Sequence, residues 1–256
     1  MLQSERHEQI LHLLATNKFL KVKDLEERFG VSRSTAIRDI EELSNSGLAN
    51  RTYGGIKRQD SPHVKTFSCE LLSQISDSAT YEAKQKITAK AATFLEAGST
   101  LLIDGGTTTQ QLCPHLTNLD LRIITNSLSI ACFFSENSSN EVLLTGGLLH
   151  RRGRIMIGPH ARNMIETIHA DWFIASTGGI DEQGLTNTDL LTVEIEKRMI
   201  ENSDRVMILA DHSKFGRKVL TFFIDFNSVD ILITDKQPNE SIMKAIGQAK
   251  TELIIV

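Results

Sequence analysis

The chain has only three cysteines in 256 residues, Cys69, Cys113 and Cys132, and no two of them form a CxxC pair. That scarcity and spacing exclude a disulfide framework and a zinc site, and leave buried or idle thiols in a reducing cytosol as the expected state. No apolar run approaches the roughly 20 residues that span a bilayer. The opening MLQSERHEQI mixes acids, bases and polar groups where a signal peptide is apolar. A soluble, cytoplasmic protein without membrane contact is the expectation. Excess positive charge is missing too: 28 Lys and Arg stand against 32 Asp and Glu, a formal charge of −4. Residues 1–60 hold ten basic and nine acidic side chains, so any nucleic-acid contact has to come from local placement. There is no solenoid-type repeat and no low-complexity tract.

What remains is ordinary globular composition, 40% apolar and 23% charged, in a chain long enough for two domains. Residues 1–57 read as a winged helix-turn-helix. Ile10, Leu13 and Leu14 recur at helical spacing, as do Leu25 and Phe29, and Gly30 closes the second helix. Ser32 caps a third helix with Ala36, Ile37, Ile40 and Leu43 as its apolar stripe. Arg33, Ser34, Arg38, Asp39 and Glu42 are left toward solvent, and Gly47 ends the helix. LANRTYGGIKR then reads as a two-stranded ribbon turning at Gly54-Gly55. Such a third helix enters the DNA major groove by its N-terminal residues, which makes Arg33, Ser34, Thr35 and Arg38 the expected contacts. Arg51, Tyr53, Lys57 and Arg58 make the ribbon a phosphate-facing wing. A three-helix module for protein contacts is the alternative.

Residues 58–78 are polar, contain Pro62 and several serines, and read as a linker. From residue 79 the rhythm changes. TLLID, LRIIT, EVLLT, DWFIAS, RVMILA, DILIT and ELIIV are strand-like, and helical stretches such as 81–97 and 189–202 separate most of them. That alternation predicts an α/β domain on a mainly parallel sheet. LLIDGGTTTQQL places a loop between a strand and a helix start, where backbone N–H groups favour an anion. Gly105 and Gly106 admit the anion to the backbone, and Thr107, Thr108 and Thr109 add hydroxyl donors. The loop is neither a P-loop nor a dinucleotide fingerprint. Asp104 stands where open α/β sheets place their ligands and suits a sugar hydroxyl. Thr125-Asn126-Ser127, Gly146-Gly147 and Gly178 to Asp181 follow other strands, so four loops at one edge point to one cleft. Lys214 in ADHSKFGRK is a further candidate for phosphate, ahead of Arg151, Arg152 and Arg154.

VKDLEERFGVSRSTAIRDIEEL followed by LANRTYGGI resembles the N-terminal domain of the DeoR/GlpR family of bacterial sugar-catabolism regulators. The likeness is closest at Gly30-Val31-Ser32, Thr35, Arg38-Asp39, Gly47, Arg51 and Gly54-Gly55. The family's Thr-Ile-Arg-Arg-Asp-Leu run reads Thr35-Ala36-Ile37-Arg38-Asp39-Ile40, with Ile37 in place of the first arginine. Asp104 to Thr108, Thr125 to Ser127, Gly146-Gly147, Gly158, Gly179 to Asp181, Gly184-Leu185 and Asp211 to Phe215 are similar to that family's C-terminal domain. The resemblance implies a fold like ribose-5-phosphate isomerase and glucosamine-phosphate deaminase over residues 79–256. It also implies a phosphorylated sugar held by Asp104, Gly106, Thr107, Thr108, Asn126, Gly147, Asp181 and Lys214. Where many relatives carry a glutamate, this register has Thr192, with Asp189 or Glu194 as substitutes.

The reading that results is a transcription regulator, a repressor of a carbohydrate-utilisation operon, and not an enzyme. Its expected partners are a double-stranded operator and a phosphorylated sugar, with no cofactor and no metal. Two-fold pairing on palindromic half-sites leads to a homodimer or homotetramer. The alternative is a sugar-phosphate isomerase or deaminase with Asp181, Glu194 and Lys214 as its acid-base and electrophilic groups.

Overall fold

The computed structural model describes residues 3–16, 19–45, 49–52, 54–58, 80–151 and 153–256. Its chain divides into two compact units, Met1–Thr66 and Phe67–Val256. The readings at Gly47, Tyr53 and Arg152, and nearly all of the 58–78 linker, lie outside the described residues.

The first unit is built from α1 (Gln3–Thr16), β1 (Phe19–Lys21), α2 (Val22–Phe29), α3 (Arg33–Asn45), β2 (Ala49–Thr52) and β3 (Gly55–Arg58). Helix α2 stops because Gly30 takes φ 62°, a left-handed conformation that costs glycine little. Helix α3 starts where the Ser32 hydroxyl accepts the Thr35 N–H at 3.2 Å. Gly54, at φ 89°, turns β2 back into β3, and β1 adds a third antiparallel strand in the order β1-β3-β2. That short strand is absent from the helical reading of the sequence, because three residues carry no period. Ile10, Leu14, Leu25, Ala36, Ile40, Leu43 and Ile56 close a single core.

Asp39 departs from expectation. It is 1% exposed, not turned to solvent. The Arg6 guanidinium donates to both its oxygens at 2.6 and 2.9 Å, and the His7 ring approaches one of them at 3.1 Å. Burial alone pushes the Asp39 carboxyl up, but the Arg6 and His7 contacts outweigh it and hold the group below the usual carboxylate range.

The second unit begins with α4 (Tyr81–Ala92), β4 (Thr100–Ile103), α5 (Thr107–Leu116), β5 (Arg122–Thr125), α6 (Leu128–Asn137) and β6 (Glu141–Leu144). A hairpin of β7 (Leu148–His150) and β8 (Ile155–Ile157) leads to α7 (Pro159–Ile165) and β9 (Ala170–Ser176). Then come β10 (Gly179–Asp181), β11 (Gly184–Asn187), α8 (Leu190–Glu201), β12 (Ser203–Leu209), β13 (Thr221–Ile224), β14 (Ile231–Thr234), α9 (Glu240–Gln248) and β15 (Glu252–Ile255). The seven strand-like runs of the sequence form one sheet, ordered β15-β14-β12-β9-β4-β5-β6. Every pair in it is parallel.

The inner strands read as continuous apolar runs because both their faces are covered, while the edge strands β6 and β15 keep exposed positions such as Leu143 and Ile255. Leu102, Phe173, Val206, Ile208 and Leu232 pack on one side. Their sequence neighbours Leu101, Ile103, Trp172, Ile174, Met207 and Ile231 pack on the other. From β4 the chain winds outward through β5 to β6, then returns to β9 and winds the opposite way. The winding direction therefore reverses between β4 and β9, and the crevice beyond their carboxyl ends is where such sheets take ligands.

Candidate functional site

That crevice holds a cavity of about 390 Å³. Asp104 and Gly105 at the end of β4, and Ser176 at the end of β9, form its floor. The hairpin contributes His150, Gly153 and Ile155, and the start of α8 contributes Asp189, Thr192 and Glu196.

Asp104 is 2% exposed. The side-chain amide of Asn126 donates to it at 2.7 Å, and the Asn126 carbonyl accepts the Gly105 N–H at 3.2 Å. Glu196, 1% exposed, accepts from the Asn187 amide at 2.7 and 2.9 Å. Burial raises both acids, and the charge of Asp104 pushes Glu196 further up, well above the carboxylate range. Like charges in a desolvated space oppose joint ionisation, so the two acids together hold a proton above the ordinary carboxylate range. At the rim, burial works to raise Asp189, but the N–H and hydroxyl of Thr192, with His150 at 4.0 Å, hold it low and ionised.

Beside the floor, α5 begins without a side-chain cap, since its first flanking residue is Gly106. The two glycines are required by packing, not by left-handed backbone. A Cβ on Gly105 meets Ile155 at 2.4 Å, and one on Gly106 meets the Ser176 hydroxyl at 2.2 Å. Of the three threonines, only Thr107 faces outward. Thr109 is fully buried and donates to the Asp104 carbonyl at 2.7 Å, and Thr108 is 2% exposed. The Thr109 hydroxyl serves the fold and Thr108 is buried, which leaves the backbone N–H groups and the Thr107 hydroxyl at this helix start.

Sequence reasoning misses a basic side chain at that terminus, Lys84 of α4. Only 6% exposed, it donates to the Thr107 hydroxyl at 3.2 Å and lies 3.9 Å from the Asp211 carboxylate. Burial lowers its pKa, Asp211 opposes the shift and nearby Lys214 adds to it. Lys214 belongs to a short 3-10 turn at His212–Lys214 whose Asp211 cap accepts the Ser213 N–H at 3.0 Å. Lys84, Lys214, Ser213 and the start of α5 thus form a cationic corner.

The structure does not bring every expected residue to the cavity wall. Asp181 faces Lys218 at 3.4 Å and accepts the Gln183 N–H. Gly147, at φ 107°, packs 2.7 Å from the Ile157 carbonyl, measured from where its Cβ would stand. Glu194, the suggested carboxylate substitute, is exposed and lies 3.6 Å from Arg162. Glu196, two residues later, is the carboxylate that reaches the cavity. The clue in the sequence is its spacing: it stands three residues after Val193 and four before Ile200, among apolar positions of α8.

In the first unit, Arg33, Ser34 and Arg38 are exposed on α3, as is Lys57 on β3, and Thr35 is half-buried. A groove of about 560 Å³ separates α3 from the hairpin and is lined by Arg33, Ile37, Arg51 and Gly54 among others. Arg51 pairs across it with Glu41. Among the described residues no helix is long and apolar enough to cross a membrane.

Residues 6–62 match the model of the DeoR-like helix-turn-helix domain, and residues 79–236 match that of the DeoR C terminal sensor domain. Over 255 residues the chain is 33% identical to the glycerol-3-phosphate regulon repressor of Escherichia coli (strain K12), covering 99% of each protein. It is 31% identical over 252 residues to the HTH-type transcriptional repressor CsqR of the same organism, covering 98% of this chain and 94% of that one. Among solved structures, ribose 5 phosphate isomerase A from Neisseria gonorrhoeae aligns over 53% of each chain at 14% identity and a TM-score of 0.40. A reader helix on a hairpin-backed core, a sensor sheet with its crevice at the strand reversal, and near full-length relatives named as repressors agree: the chain belongs to the DeoR family of DNA-binding transcriptional regulators.

Proposed function

We propose that this regulator represses a carbohydrate-utilisation operon, and that a phosphorylated sugar in the C-terminal cleft changes its hold on the operator. The observation that carries the effector half is Lys84. A buried ammonium at an uncapped helix start, with its nearest carboxylate at 3.9 Å, is short of an anion. A phosphoryl group supplies one. In this reading the N–H groups of Thr107, Thr108 and Thr109, with Lys84 and Lys214, hold the phosphoryl oxygens. Gly105 and Gly106 let it approach, and Asp104, braced by Asn126, takes the sugar. Gly147 and Asp181 shape the flanking loops.

Residues 1–57 act as the reader, 58–78 as the connection and 79–256 as the sensor. Helix α3 enters the major groove with Arg33, Ser34, Thr35 and Arg38, while Arg51, Tyr53 and Lys57 meet phosphates. Two-fold half-sites call for a homodimer or homotetramer in the cytoplasm. The two relatives named as repressors support the sign of regulation. Coupling of about 1–3 kcal/mol between the two sites is enough to release an operator.

Thermal-shift screening of the full chain against phosphorylated sugars and their unphosphorylated parents tests the effector. A phosphorylated compound at 100 times its Kd stabilises the folded state by about 2.7 kcal/mol, and its parent does not. Lys84→Met loses the shift, and because it strands the buried Asp211 carboxylate, the double variant Lys84→Met with Asp211→Asn, which leaves neither charge behind, loses it as well. A shift that survives in Lys84→Met, or the failure of every phosphorylated compound, overturns the proposal.

A further inference from the structure

Two regions of opposite sign lie at this end of the sheet, the cationic corner and the cavity beside it. At the cationic corner stand Lys84, Lys214 and the start of α5. The cavity wall has the opposite sign: Asp104, Glu196 and Asp189 line it, and no lysine or arginine does so among the described residues. Its one basic ring, His150, sits at the rim 4.0 Å from Asp189, with Nδ1 buried and unpartnered.

We infer that the occupant of this cleft carries a basic nitrogen as well as a phosphoryl group, an aminated sugar phosphate whose ammonium lies between Asp104 and Glu196. The inference deepens the phosphorylated-effector reading and rests on it. The two acids are buried at the carboxyl end of the strand reversal, and among the described residues the amides of Asn126 and Asn187 are the only side chains of other residues that donate to them. A neutral hydroxyl offers one donor and no charge. An ammonium offers three donors and the missing positive charge, and lets both acids ionise. When it binds, the proton that the two acids hold between them leaves to solvent, so uptake of the cation and release of one proton balance.

Calorimetric titration of the full-length protein with matched pairs tests this: glucosamine 6-phosphate against glucose 6-phosphate, and galactosamine 6-phosphate against galactose 6-phosphate. In the pair that binds, the amine is tighter by about tenfold or more, the gain expected of charge-assisted hydrogen bonds. N-acetylation removes the preference. Titrations in buffers of different ionisation heats show about one proton released per amine bound. Glu196→Gln keeps the shape and one of the two Asn187 contacts but cannot ionise, and it brings the amine-to-hydroxyl ratio to about one. A hydroxyl compound that binds as tightly as its amine, or a ratio indifferent to Glu196→Gln, overturns the inference. So does binding of other phosphorylated sugars while both amines fail, and in that case the phosphorylated-effector reading survives. If no phosphorylated compound binds at all, that reading falls and takes this one with it.

Discussion

Replacing Asp39 by alanine removes the carboxylate that neutralises a nearly buried arginine. Three contacts disappear together, two from Arg6 at 2.6 and 2.9 Å and one from His7 at 3.1 Å. The larger effect is on what stays behind: the Arg6 guanidinium, 8% exposed, loses both its hydrogen-bonded carboxylate oxygens and keeps only the weaker pull of Glu42. Removing one member of such a pair costs about 3–5 kcal/mol. The unit that bears the loss is small, Met1–Thr66, and at roughly 0.05–0.15 kcal/mol per residue its whole stability is on the order of 3–10 kcal/mol. Asp39→Ala therefore brings the reader to the edge of unfolding without touching a DNA-facing side chain. Hydrogen exchange of the full chain reads this directly. The slow amides of α2 and α3 exchange about 10²- to 10³-fold faster, at one decade per 1.4 kcal/mol. Those of the central strands β4 and β9 keep their rates, and operator binding is lost. Replacing both partners with apolar side chains, Arg6→Met with Asp39→Leu, recovers most of the protection, because neither charge is then stranded. Unchanged exchange in Asp39→Ala, within a factor of about three, refutes the reasoning.

Gly179→Ala sets a Cβ 2.2 Å from the backbone carbonyl of Arg217, a clash that no rotamer relieves. The cost is about 1–3 kcal/mol. Calorimetry should show the melting temperature falling by about 2–4 °C for each of those kcal/mol, and an unaltered Tm denies the close approach. The two cavity acids predict an unusual pH profile. Their raised native pKa values mean that unfolding releases protons once pH exceeds the ordinary carboxylate range near 4. The sensor unit therefore loses stability as pH climbs from there through the native values, and Glu196→Gln flattens the decline. Asp39 acts in the opposite direction, adding stability above that range and losing it on acidification. Identical pH–Tm curves for Glu196→Gln and the unaltered protein contradict the shared proton. Lys57→Ala weakens operator binding and reduces the slope of log K against log salt by about one, while a slope that does not move places Lys57 away from phosphate.

The sheet was legible because its physics is local to each strand. A strand buried on both faces must be apolar at every position, and IIT in β5 or VMIL in β12 announce this without reference to partners. The reader was legible for a similar reason, since Gly30 and Ser32 fix both ends of the turn between α2 and α3. What escaped were charges in buried places. Asp39 finds its partner 33 residues away, a pairing no local pattern encodes. Lys84 and Glu196 interrupt the inward faces of α4 and α8, and a charge at such a position is usually solvated. Thr109 shows the converse: its hydroxyl suits a ligand chemically, yet it fastens the loop to the Asp104 carbonyl. Which strand ends border the crevice depends on the reversal between β4 and β9, a long-range pairing that the sequence does not print.

The most direct measurement is a crystal structure of the protein with a phosphorylated sugar that raises its Tm. The account predicts phosphoryl oxygens within about 3 Å of Lys84 Nζ and of backbone N–H groups at the start of α5, with the sugar reaching Asp104. A phosphoryl group bound elsewhere, with Lys84 still turned to the Thr107 hydroxyl, contradicts it.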